Sequence, residues 1–83
     1  MNYDTELGRT ADRLRQLTDA RLLGHTEQFY ALLAVLAVRE VPRVGPRAWA
    51  DQLLVVGREV PEPRRAATAV LLTDFRRGLD LRP

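Results

Sequence analysis

Ten consecutive apolar residues, Phe29–Val38, stand between Gln28 and Arg39. A segment that is hydrophobic on every side needs cover on several sides, so this run places the core of whatever the chain builds. As a helix it is about 15 Å long, half the thickness of a bilayer core that takes about 20 residues to cross. It therefore reads as a buried helix, and no membrane partner is expected.

The flanking sequence supplies the cover. Leu7, Ala11, Leu14 and Leu17 recur at helical spacing and Leu22 and Leu23 extend the stripe, which predicts a first helix over Thr5–Leu23. Asp4 or Thr5 is expected to cap its start, and Gly24 to end it in the left-handed conformation. Thr26 is expected to cap the second, apolar helix. That helix should run to about Glu40, because Val41 precedes Pro42 and a residue before proline is pushed out of helical geometry. Residues 41–46 read as a connector, with Pro46 opening a third helix. There Trp49, Leu53, Val56 and Val60 share one face. Pro61 and Pro63 break the chain again, and a fourth helix to Gly78 is expected to turn Ala67, Val70, Leu71 and Phe75 inward. Leu79 and Leu81 would fold back as a tail.

The Leu53–Val56 cluster is the sole strand-like stretch, and the Trp49-to-Val60 spacing argues against it. The expected class is all-α: one domain over residues 1–83, built as a small four-helix antiparallel bundle with a largely buried apolar second helix. Short connections favour an up-and-down order.

The residue types narrow the chemistry. The chain has no Lys, Ser, Cys or Ile, and Arg supplies all 13 basic side chains. Such a vocabulary fits a GC-rich bacterial genome. It also removes the usual Ser, Cys and Lys nucleophiles, every disulfide and every Cys-type zinc site. His25 is the single imidazole. It reads as a polar residue in a turn, although Asp19 or Glu27 could orient it as a base. The acids show no metal-ligand spacing. No catalytic residue, metal or cofactor is expected, and the chain reads as a non-enzyme.

Net charge is +2, with −1 over residues 1–38 and +3 over residues 39–83. The pI of 9.9 reflects the absence of lysine more than a basic surface. A nucleic-acid binder usually shows a stronger imbalance. The one motif in that direction is Arg64-Arg65 at the start of the fourth helix, with Thr68 one turn on, placed where a helix-turn-helix reader presents side chains to DNA. A small DNA-binding regulator using Arg64, Arg65 and Thr68 is the alternative reading.

The leading expectation follows from the apolar run. Three one-striped helices barely suffice to cover it. Each large side chain left wet forgoes about 1.5–3 kcal/mol. A second copy would recover that, and two-fold dimers are the commonest oligomer. The chain is expected to be cytoplasmic, to act through protein–protein interaction and to self-associate. Phe29, Tyr30, Leu33, Leu36 and Trp49 are the expected interface residues.

Overall fold

A computed structural model of the chain describes residues 2–81, and among these it is all-α. Helix α1 spans Tyr3–Gln16, α2 Asp19–Leu23, α3 Thr26–Ala37, α4 Trp49–Arg58 and α5 Glu62–Leu79, with a single 3₁₀ turn at Pro46–Ala48 before α4.

The expected first helix is two helices. Leu17 and Thr18 are extended, and the Thr18 hydroxyl accepts the Arg21 amide at 3.3 Å, so a threonine with cap chemistry restarts the chain as α2. The break brings Leu22 into the core and leaves Leu23 outside. Asn2, rather than Asp4 or Thr5, caps α1, its side chain accepting the Thr5 amide at 3.0 Å. Gly24 closes α2 in right-handed geometry, with φ −67°. Thr26 lies inside α3 and donates its hydroxyl to the Leu23 carbonyl at 2.9 Å, and His25 holds the cap position.

Helix α3 stops before the proline can act on it. Val38 is left-handed, with φ 55°, and its amide still bonds the Ala34 carbonyl. That conformation costs a β-branched residue about 1–2 kcal/mol, more than the entropy a glycine loses there. Because Val38 is 74% exposed, little burial is at stake. Val38→Gly is therefore expected to stabilise the chain by about 1 kcal/mol, seen as a higher urea midpoint at unchanged slope.

Side-chain contacts fix the helix directions. Tyr3 donates to the Gly57 carbonyl and Arg15 meets Asp51 at 3.1 Å, so α1 and α4 run oppositely. Arg65 lies over the Tyr3 ring at 5.4 Å and Arg13 bonds Asp80 at 3.0 Å, so α1 and α5 run the same way. Arg64 reaches the Val35 carbonyl at 2.8 Å while Phe75 lies 5.9 Å from Phe29, so α3 and α5 are opposed. Helices α3 and α4 consequently run in parallel. The four long helices are ordered up, down, down, up, in place of the expected up-and-down bundle. A parallel pair needs a return path as long as the helix it bypasses. Twelve-residue α3 is about 18 Å long, which six extended residues just span. Glu40–Gly45 is that path and carries no regular structure.

Helices α1 and α3 each pack on both α4 and α5. Gly57 permits the α1–α4 approach: a Cβ there would lie 2.5 Å from a Leu7 methyl. The expected α4 face is buried throughout, from Trp49 to Val60. The inward face of α5 is not the expected one. Ala67, Val70 and Leu71 are exposed, Phe75 is half-buried, and the buried residues are Thr68, Ala69, Leu72, Thr73 and Leu79. Sorting by apolarity misplaces this face because α5 also serves a polar partner: Thr73 donates to buried Glu6 at 2.7 Å and Arg76 reaches the same carboxylate at 2.8 Å. Leu79 joins the core and Leu81 stays outside.

Candidate functional site

The apolar helix is covered by its own chain along most of its circumference. Phe29 stacks on Trp49 with ring centroids 4.4 Å apart and 8° between planes, and Tyr30 stands edge-on to both rings. Leu32, Leu33 and Leu36 are buried as well. The five residues expected at an interface are thus brought together, but inside: none of Phe29, Tyr30, Leu33, Leu36 and Trp49 is more than 6% exposed. A residue the chain already buries has no apolar area left to offer a partner. What α3 leaves open is the stripe Ala31, Val35 and Val38.

Exposed valines also lie on and beside the strap, Val38–Gly45, that connects α3 to α4: Val38 and Val44 on it and Val55 across from it on α4. Without regular structure over Glu40–Gly45, the strap cannot satisfy its own backbone there, and backbone groups shielded from water must find partners elsewhere. Three side chains provide them. The Tyr30 hydroxyl accepts the Val44 amide at 2.7 Å and donates to Gln52 Oε1 at 3.1 Å. Trp49 Nε1 donates to the Val44 carbonyl at 3.2 Å, and Gln52 Nε2 donates to the Pro42 carbonyl at 2.7 Å. The tyrosine and tryptophan therefore stand with their rings in the core and their polar ends on the strap, the division of labour suited to amphipathic aromatics. Arg43 adds a two-pronged pair with Glu27, at 2.8 and 3.0 Å, and lies over the Tyr30 ring. Its hydrogen bond, reinforced by its charge, holds the Glu27 carboxyl below the usual range.

Tyr30→Phe tests this anchoring. Leaving the Val44 amide and Gln52 without the hydroxyl costs about 1–3 kcal/mol locally, so exchange of the Val44 amide should quicken by about tenfold to a hundredfold. Core amides of α5 should quicken much less.

Two grooves flank the strap. The one toward α3, about 360 Å³, is lined by charged residues as well as apolar ones: Glu27, Glu40 and Arg43 beside Tyr30, Ala31, Ala34 and Val41. The one toward α4, also about 360 Å³, is walled by Val41, Pro42, Val44, Ala48, Val55 and Val56, with Gln52 on its floor and Arg39 and Asp51 as its charged residues. Val44 is 43% and Val55 58% exposed there. Residue spacing does not reveal this groove, since Val41 and Val44 fall in the connector and Val55 lies off the α4 stripe.

The residues of the nucleic-acid reading are occupied within the chain. Thr68 is buried and donates to the Arg64 carbonyl at 2.8 Å. Arg64 binds the last turn of α3 through the Val35 carbonyl, where a cation suits the helix end. Arg65 binds the Val60 carbonyl at 3.0 Å and lies over Tyr3. His25 is buried, and its Nε2 has no hydrogen-bond partner. The two acids that might have oriented it are engaged elsewhere, Asp19 with Arg47 and Glu27 with Arg43.

No family model matches the sequence, and neither a curated protein nor a solved structure matches it. The site thus stands on its own geometry. Among the described residues no group of three or more His, Cys, Asp or Glu is placed to hold a metal ion, and no helix is long and apolar enough to cross a membrane.

Proposed function

We propose that the chain is a small, non-enzymatic helical protein of the cytoplasm that acts by binding protein, itself included. The observation that carries this reading is the apolar groove between the strap and α4, with Val44 and Val55 open on its walls and Val38 exposed at the start of the strap. Single exposed apolar residues are ordinary, and what supports the reading is that Val44 and Val55 line one groove together. Association would accordingly join surfaces laid over a closed core rather than cover an open core helix. Nothing in the arrangement of Arg64, Arg65 and Thr68 favours the nucleic-acid alternative.

Sedimentation equilibrium across a wide concentration range tests the proposal. The wild-type chain should move from monomer, 9.4 kDa, to a larger species as concentration rises. Val55→Glu, which puts a charge on an exposed wall of the groove, should hold it at monomer with unchanged helicity. A wild-type chain that stays monomeric throughout contradicts self-association.

A further inference from the structure

The groove beside α4 is lined mainly by apolar residues and carries two opposite charges, Arg39 from just past the end of α3 and Asp51 from the start of α4, which the parallel run of α3 and α4 sets toward opposite ends of the bundle. Arg39 stands at the lower end, where its amide still bonds the final turn of α3. Asp51 stands at the upper end, in the first turn of α4, where it meets Arg15 from the finish of α1. The strap climbs the whole distance between them. Both groups have bonding capacity to spare. The hydrogen bond of Arg39 is to its own neighbour, the Glu40 carbonyl at 3.3 Å, out of the five N–H donors a guanidinium carries. Arg15 reaches Asp51 through Oδ1, which leaves Oδ2 for another donor.

A surface with an arginine at one end and an aspartate at the other is complementary to itself when turned end for end. A two-fold axis through the middle of the groove performs that operation, since in such an interface residue i of one copy meets residue j of the other, and j meets i. We infer that the strap–α4 groove is the contact face of a two-fold dimer of this chain, with Arg39 of each copy set against Asp51 of the other. The inference rests on the self-association proposed above and names its surface and register. The valines supply the apolar contact, and the two end pairs select the antiparallel docking, because the same grooves laid head to head would oppose arginine to arginine. The groove toward α3 lacks this property: its one arginine, Arg43, takes both oxygens of Glu27 and leaves Glu40 as the remaining charge, whereas Arg15 takes one oxygen of Asp51.

Charge exchange tests the register. Arg39→Asp and Asp51→Arg each place like charges at both symmetric contacts, so each alone should weaken the dimer by about tenfold or more in low salt. An equal mixture of the two variants restores both pairs, aspartate to arginine, and should dimerise like the wild type. So should the double variant. Asp51→Asn controls for loss of the Arg15 contact, and circular dichroism checks that each variant is folded. If the wild type dimerises but the single variants do so equally well, or if mixing them restores nothing, this register is wrong while self-association stands. If the wild type is monomeric at every concentration, as for a groove that takes a helix of another protein, self-association fails and this register with it.

Discussion

Trp49→Ala should cost about 3–5 kcal/mol, the largest loss expected from any single truncation in this chain. Natural domains hold about 0.05–0.15 kcal/mol per residue, so a chain of 83 residues has roughly 4–12 kcal/mol in total. The variant should therefore lose between about a quarter and all of that margin. The magnitude follows from position. Trp49 is 1% exposed, lies flat against Phe29, stands edge-on to Tyr30 and holds the Val44 carbonyl of the strap. Its removal opens a cavity at the meeting of α3 and α4 and releases one strap anchor in the same step. Trp49→Phe separates the two roles: the stack on Phe29 survives and the strap bond does not. It should fold, lose about 1–3 kcal/mol and show faster exchange near Val44. Urea denaturation of the three proteins checks the order. A tryptophan-to-alanine variant as stable as the wild type would contradict the packing described.

The second large effect belongs to Glu6. Its carboxylate is buried between α1 and α5, accepts from Thr73 at 2.7 Å and Arg76 at 2.8 Å, and has Arg9 at its outer edge at 3.5 Å. Removing one partner of such a group leaves the other charged and dry, which is far more damaging than removing both. Arg76→Met should thus lower the urea midpoint well beyond what Arg43→Ala does at the exposed pair with Glu27, where solvent screens the interaction. Combining Arg76→Met with Glu6→Gln should recover part of the loss. The hydrogen bond from Thr73 is the leading cause that holds the Glu6 carboxyl below its ordinary 4.5, with Arg76 second. A carboxyl lowered by folding contributes stability that is present above its unfolded value and is lost as pH falls through the folded one. Stability should accordingly hold down to about pH 4.5 and drop below it, with Glu27 adding to the fall. Glu6→Gln should start lower and depend less on pH over that window.

The parts of the fold legible in the sequence were those carried by apolar spacing. The Trp49–Val60 face and a largely buried second helix follow from a period of 3.6 and a continuous run, whereas Phe29, Leu33 and Leu36 were expected at an interface and are buried by the chain itself. Three features were not legible, each for a physical reason. The break at Leu17–Thr18 turns on a threonine using its hydroxyl as a cap within an otherwise unbroken stripe. The inward face of α5 holds threonines because a buried carboxylate on α1 needs donors, and that pairing spans 67 positions in the chain. The parallel run of α3 and α4 depends on a strap whose length is plain but whose path is set by Tyr30, Trp49 and Gln52. Tyr30 and Trp49, expected at an interface, have buried rings and polar ends that hold the strap. The groove came into view only once that path was known.

This chain buries its own core, and on the proposal above self-association joins finished surfaces rather than completing the fold. Far-UV circular dichroism followed through dilution, alongside sedimentation of the same samples, tests it most directly. Helicity should stay constant as the associated species dissociates. Helix lost in step with dissociation would contradict it, and would return Phe29–Val38 to the role of a core that one copy cannot cover.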